Sequence, residues 1–361
     1  MTNQVKIAMN TIKSKQQGMT LTELMVAVAV GLIVSAAVAG LFLQTTASNN
    51  QNSEITYIQD NGRYALKLLA SDLEMSNFWA GLAASNSGSI DIDDTAVAQD
   101  GGAATITATI DPDVNVLCGD GAASVGDNWN YDFSQPLEIL VDTTEANAEA
   151  AYPCINNSDN ALDFVDNTDV LVVKRTKGFE ETTSQTNGRP YVRGNRNVAT
   201  LHKYVSGTTD DPPSGYFDWQ YINHVYYIAQ DDSCTAPCTP KLVRQALKED
   251  STPSNDPSFS TEELAVGIER FHIMFGIDTD ADAVVDTFTS TPTAAQLLNA
   301  VIAKIYILAR GESQVTGYTN NKTYQLGDLA VGAANDGFYR RVFTTTVIMK
   351  NTEAVIEMGA I

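Results

Sequence analysis

Basic residues are scarce in this chain: 22 Lys plus Arg stand against 44 Asp plus Glu, a formal net charge of −22. Such an excess favours solubility and works against broad contact with nucleic acid, whose phosphates need a positive surface. Histidine is scarcer still. There are only His202, His224 and His272, and none stands at a metal-ligand spacing from another. No G-x-S-x-G elbow and no phosphate-binding G-x-x-x-x-G-K-[ST] loop occurs, so the local signatures of a serine hydrolase and of a nucleotide site are missing. The chain reads as a non-enzyme with no resident cofactor. Proline is missing throughout 20–76, so a helix there meets no obligatory break. The four cysteines are few but even in number, and they follow a segment that would export them to where disulfides persist. Cys234-Thr235-Ala236-Pro237-Cys238 frames a short local loop, which leaves Cys118 with Cys154, although sequence alone permits three connectivities. Zinc is the rival use, but no second close cysteine pair and no nearby histidine supports it.

What the chain does have is one long uncharged run. From Leu24 to Leu43 no residue is ionisable, and about 20 such residues cross a bilayer core as a helix. Lys6, Lys13 and Lys15 lie just upstream, and no Lys or Arg follows until Arg63. That asymmetry holds the N-terminus in the cytoplasm and sends the rest outward. Within the run, Ala27, Gly31 and Ser35, and then Ala36 and Gly40, repeat at four-residue spacing. Small residues so placed let another helix approach closely, or are simply tolerated in a single-span anchor. Glu23 sits at the mouth of the run. A carboxylate there is costly unless a cation meets it, and the plainer reading is an acidic residue stabilised by the helix dipole.

Lys15-Gln16-Gln17-Gly18 followed by Met19-Thr20-Leu21-Thr22-Glu23-Leu24-Met25 resembles a type IV prepilin signal: a short basic leader ending in Gly, a hydrophobic residue, and Glu at the fifth position after the cut. The resemblance implies that prepilin peptidase cleaves between Gly18 and Met19 and N-methylates Met19. It also implies that Glu23 pairs with the N-terminal amine of a neighbouring subunit during assembly. Met19 departs from the Phe usual in that family. A secretory signal cut after Ala37-Val38-Ala39 is the competing parse. Loss of 1–18 would remove three Lys and no acid, leaving 19 − 44 = −25. The organisation expected is a leader at 1–18, a transmembrane and assembly helix at 19–43, its amphipathic half at 44–80, and a β-rich periplasmic domain at 81–361.

The periodicity supports one helix over 20–76, with Ile55, Ile58, Gly62, Leu66, Leu69 and Leu73 forming an apolar stripe at three- and four-residue steps. Beyond a Gly-, Ala-, Ser- and Asn-rich stretch near 81–130, β-branched and aromatic segments predict strands at 104–110, 137–141, 170–175, 221–229, 242–246, 266–277, 301–310 and 339–350. A short helix is expected at 293–301, and polar loops at 180–188, 207–215 and 248–257. A long helix followed by many strands means α+β with an antiparallel sheet. Lys241-Leu242-Val243-Arg244, then Leu264-Ala265-Val266-Gly267-Ile268-Glu269-Arg270-Phe271, then Ile305-Tyr306-Ile307-Leu308-Ala309-Arg310, and finally Tyr339-Arg340-Arg341-Val342-Phe343-Thr344-Thr345-Thr346-Val347 follow in order. That succession looks like the PilW family of minor pilins, with a pilin-like fold in which a long helix packs on the sheet. The segment 81–240 resembles no named family.

Two further constellations are weighed on their residues. Asp278, Asp280, Asp282 and Asp286 follow D-x-D-x-D-x-x-x-D, a spacing whose oxygens can wrap one calcium ion. Ala283 replaces the turn glycine, Thr289 stands where a bidentate Glu belongs, and an acidic hairpin turn is the alternative. Lys174, Arg175, Lys177, Arg189, Arg193, Arg196 and Lys203, interleaved with Phe179, Tyr191 and Tyr204, form a basic stretch. It reads as a solvated loop or a charged seam to a partner subunit before it reads as a nucleic-acid surface.

The resemblance implies a structural minor pilin that helps prime the type IV pilus. Its partners would be other minor and major pilins, prepilin peptidase, the inner membrane and the pilus assembly platform. It would be inserted in the inner membrane with its body in the periplasm, then carried into the pilus. A pseudopilin of type II secretion and a pilus-tip adhesin using 81–240 are the alternatives, with an exported hydrolase a remote third.

Overall fold

The structure is a computed structural model. It describes residues 18–79, 108–110, 117–118, 122–123, 135–155, 162–181, 185–194, 199–204, 212, 214–249 and 257–352. The chain divides into two units, Met1–Ser53 and Glu54–Ile361. Helix α1, Leu21–Glu74, supplies all but three of the described residues of the first unit and opens the second. The sequence-based span of 20–76 overshoots it by one residue at the start and two at the end.

Seventeen strands and two short helices follow among the described residues: β1 (Ala108–Ile110), β2 (Leu117–Cys118), β3 (Ala122–Ala123), β4 (Leu137–Thr143), α2 (Glu145–Ala151), β5 (Leu162–Phe164), β6 (Thr168–Thr176), β7 (Pro190–Gly194), β8 (Ala199–Lys203), β9 (Phe217–Asp231), β10 (Lys241–Lys248), β11 (Ser258–Val266), β12 (Ile268–Ile277), β13 (Thr287–Thr289), α3 (Ala294–Leu298), β14 (Ala300–Arg310), β15 (Tyr324–Leu326), β16 (Leu329–Val331) and β17 (Arg340–Ile348). The first eleven strands form one large sheet built around the 15-residue β9. One edge of β9 pairs in turn with β7, β6 and β5, and its other edge with β10. Pairing is antiparallel apart from the short β1–β8 and β2–β11 contacts. A second, four-stranded antiparallel sheet runs β13-β12-β14-β17, and β15–β16 is a separate hairpin.

The central strands of the large sheet are buried on both faces, which is why they read as unbroken apolar runs. Leu171, Val173, Tyr226, Ile228 and Leu242 join one core with Ile58, Ala65, Leu69 and Leu73 of α1 and with Phe271, Ile273, Ile305 and Ile307 of the smaller sheet. Their neighbours Val170, Val172, Val225, Tyr227 and Val243 face a second core with Ala148, Tyr152, Cys154 and Trp79. This two-residue alternation is the pleat expressed as packing. The amphipathic stripe of α1 therefore does what its spacing predicts. At Gly62 the reason for glycine is steric, because a Cβ there would come within 2.5 Å of the Phe343 ring.

The segment 266–277, expected as one strand, is two. Gly267 has φ +78°, and a Cβ on it would meet the Arg310 carbonyl at 2.5 Å. Only glycine takes that conformation freely, and it moves the chain from the large sheet to the small one. Strand 339–350 also ends early, because residues 350–352 turn helical. The expected helix at 293–301 is α3, closed by a capping box in which Thr293 and Gln296 bond reciprocally. Of the strand expected at 104–110, residues 108–110 are β1 and the rest lies outside the described residues, as does most of the loop at 207–215.

Candidate functional site

The N-terminal unit holds the first candidate. Gly18 and Met19 precede α1 and are exposed. Thr20 and Glu23 close the helix start as a capping box: the Thr20 N–H donates to Glu23 Oε2 at 2.9 Å, the Thr20 hydroxyl donates to the same oxygen at 3.0 Å, and the Glu23 N–H donates to Thr20 Oγ1 at 3.3 Å. In the protomer this carboxylate is therefore held by hydrogen bonds at its own helix end and exposed to approach. The apolar residues that follow are uncovered. Leu32, Ile33, Phe42 and Leu43 are each about two-thirds exposed, and the run is long and apolar enough to cross a membrane. Around Gly31 and Gly40 there is open space where a side chain would stand, so no described part of the chain requires their smallness.

The basic stretch is not the solvated loop expected. Where described, it contributes to β6, β7 and β8, and five of its cations are matched within the protein. Lys174 pairs with Glu138, Arg175 with Asp72, Lys177 with Glu181, Arg189 with Glu249 and Arg193 with Asp218. Lys174 is fully buried, as is Tyr191, whose ring meets that of Tyr204 edge-on. Phe179 is exposed and lies under the Lys177 ammonium. Lys203 ends β8, and Arg196 lies outside the described residues. A nucleic-acid surface needs uncommitted cations, and these five are committed to carboxylates. The loops expected at 180–188 and 248–257 are likewise tied down where described, with Glu181, Tyr191 and Glu249 as partners.

The acidic loop joins β12 to β13. Carboxylate oxygens of Asp278, Asp280 and Asp286 lie within 4.8 Å of one another, while Asp282 is outside that group and accepts the Val284 N–H at 2.8 Å. Asp278 is buried, and its two oxygens accept N–H groups of Asp280, Ala281 and Ala283 at 3.1, 2.8 and 2.7 Å. Ala283 has φ +63°, the left-handed conformation that a turn glycine would take. The Asp282 charge, then desolvation, then the Asp286 and Asp278 charges raise the pKa of Asp280. Strands rather than helices flank the loop: the upstream one is expected from the sequence, and β13 is not.

Two polar networks escape sequence reasoning. On α1, buried Asp72 accepts from Arg175 Nε at 2.9 Å and Nη2 at 2.7 Å and from the Tyr226 hydroxyl at 2.5 Å, with His224 Nδ1 at 2.6 Å. Burial works against its charge, but His224, Arg175 and Tyr226 outweigh that and hold the carboxyl far below its ordinary range. In the other network His272 lies between two acids, Asp169 and Asp328, each 2.8 Å away. Burial lowers its pKa, the two carboxylates raise it, and the net direction is up. Ser290 donates its hydroxyl to Asp328 at 2.7 Å, so the hydroxyl meets an acid rather than the imidazole. This order of groups differs from that of an activated nucleophile, in which the hydroxyl meets the imidazole.

Cys234 and Cys238 form a disulfide, which removes them as zinc ligands. Cys154 is disulfide-bonded as well. Its expected partner Cys118 has its backbone in β2, and the Cys118 side chain lies outside the described residues.

Comparison with known proteins agrees with both ends of this chain. Residues 13–39 match the prokaryotic N-terminal methylation motif, and residues 225–351 match the family described as Type IV Pilus-assembly protein W. The second match starts within β9 and takes in the whole four-stranded sheet. No curated protein matches the chain. Among solved structures, a Type IV-like pilin from Thermus thermophilus aligns over 54% of this chain and 84% of its own length, at 14% identity and a TM-score of 0.27. That is too slight a likeness to argue from.

Proposed function

We propose that this chain, a type IV pilin-like protein with a PilW domain and an N-terminal methylation motif, is a minor pilin that helps start pilus assembly. Prepilin peptidase removes residues 1–18 and N-methylates Met19. The protein then waits in the inner membrane with its body in the periplasm, and leaves lipid for a bundle of pilin helices. The observation that supports this most is an exposed, uncharged helix that opens on a Gly18–Met19 junction and one carboxylate, Glu23. An apolar surface of that length needs lipid or other helices to cover it. In the bundle, the Met19 amine of one subunit and Glu23 of another satisfy each other in a medium where either charge alone is costly. The Cys234–Cys238 disulfide suits an oxidising compartment. Its partners on this reading are other minor and major pilins and the assembly platform.

A type II secretion pseudopilin would share the leader and helix. A tip-adhesin role would use 81–240, most of which lies outside the two family matches. Replacement at Glu23 tests the assembly reading. Glu23→Gln retains a side chain that can complete the capping box but removes the charge. The variant should be cleaved normally yet fall more than about tenfold in sheared filaments, the scale expected for an unpaired buried charge. Normal incorporation of Glu23→Gln would leave Glu23 as a helix cap and nothing more.

A further inference from the structure

A cavity of about 300 Å³ opens beside Cys238, walled by Glu269, Arg270, Arg310 and Arg340 on its polar side and by Val165 and Leu308 on its apolar side. That volume is at the lower end of the range occupied by small-molecule ligands. The guanidinium groups in it are unequally served. Arg340 donates to both oxygens of Glu269, at 2.7 and 2.8 Å, and to both oxygens of Asp336, at 2.6 and 2.7 Å. Arg270 lies 3.6 Å from Asp142 and donates to the Asn167 carbonyl. Arg310 is left with little. Its Nη2 donates to the Cys238 carbonyl at 2.6 Å, its Nη1 stands 3.7 Å from a Glu269 oxygen already taken by Arg340, and its enclosed Nε–H has no partner among the described residues.

Arg310 is 94% buried, at 6% exposure. A buried donor without an acceptor is unusual in a folded protein, and a guanidinium can shed neither its charge nor its five N–H groups. The Phe338 ring covers one face of the group, its centroid 4.2 Å from the guanidinium carbon, so an acceptor in the cavity meets the in-plane edge that carries Nη1 rather than the enclosed Nε. Burial pulls the pKa of Arg310 below its ordinary range despite Glu269, the direction of a cation short of anionic company. The planar fork of arginine matches a carboxylate best, and the Val165 and Leu308 walls suit an apolar body behind that head.

We propose that this cavity binds a small carboxylate carried on an apolar group, with Arg310 as its anchor. The carboxylate comes either from a free acid or from the end of a polypeptide, and the two share the same recognition chemistry. The proposal stands apart from the assembly role, because none of its residues belongs to the N-terminal helix run.

Ligand-observed NMR and calorimetry on the detergent-solubilised full chain test it, with isovalerate, N-acetyl-valine and N-acetyl-valinamide as probes. Isovalerate represents the free acid and N-acetyl-valine the polypeptide end. At least one of the two carboxylates should bind, and the neutral amide should not. Arg310→Gln should weaken binding at least tenfold. Gly332, exposed on the cavity wall with open space around it, provides the second variant. Gly332→Phe places a bulky ring in the open space at the rim and should weaken binding even if Arg310→Gln fails to fold. Tighter binding of N-acetyl-valine assigns the site to a polypeptide end, and tighter binding of isovalerate to a free acid. The proposal is overturned if neither carboxylate binds wild type, if the amide binds as well as the acid, or if a folded Arg310→Gln or Gly332→Phe leaves binding unchanged.

Discussion

At the scale of single residues, position in sequence decides what can be read. Gly18, Met19 and Glu23 lie within six residues of one another, so their pattern survives in the bare sequence. His272 shows the opposite case. It looks like any histidine in a strand, because the acids that define it, Asp169 and Asp328, are 103 and 56 residues away. Its raised pKa makes a pH prediction. A group whose folded pKa is raised contributes its full stabilisation below the unfolded value of about 6.5 and loses it as pH climbs through the folded value. Denaturant midpoints of the purified body should therefore fall as pH rises from neutral, and His272→Gln should flatten that fall. An identical slope in the variant would mean that His272 does not titrate as described.

The acidic loop is the second residue-scale question. Its spacing was legible and its turn geometry follows the pattern, with Ala283 in the conformation reserved for glycine. We retain calcium binding there as a proposal. Calorimetric titration should show binding at about 10⁻⁴–10⁻³ M, the range of extracellular calcium modules, and Asp280→Asn should remove it. No heat at millimolar calcium would leave an acidic turn closed by its own amides.

At the scale of elements, period-2 and period-3.6 patterns located α1 and most long strands. What they missed among the longer strands were β7 and β8, which lie in the basic stretch read as loop, and β11, of which only Val266 falls in an expected strand. Arg193 of β7 and Arg189 just before it are met by carboxylates from remote parts of the chain, and pairing across 25 or 60 residues leaves no local trace. The switch between sheets was missed for another reason. Gly267 interrupts an otherwise continuous apolar run, and a lone glycine in a strand signals a break only weakly.

The junction between α1 and the large sheet rests on Asp72, which joins the helix to β6 through Arg175 and to β9 through His224 and Tyr226. Removing one partner of a buried ion pair strands the other. Asp72→Asn should thus cost about 3–5 kcal/mol in equilibrium unfolding of the body. A loss under about 1 kcal/mol, the scale of an exposed pair, would show that the junction is held by its apolar contacts alone.

At the scale of the whole molecule, one chain combines a helix run that water does not suit with an acidic, β-rich body that it does. The sequence shows this contrast directly, because a charge-free stretch of twenty residues is visible without any fold. The body's two-core arrangement was not visible. It depends on which face of β6, β9 and β10 meets α1 and which meets α2, and both faces are apolar. Assembly as proposed needs less than that detail. It needs the leader to be removed at one bond and the new terminus to remain attached to the apolar helix.

Intact-mass and N-terminal peptide analysis of the native protein extracted from membranes measures this directly. The account predicts a polypeptide that begins at Met19 and carries one added methyl group on its amine. A native chain that still begins at Met1, or one that begins after Ala39 with the helix run cut away, would contradict it.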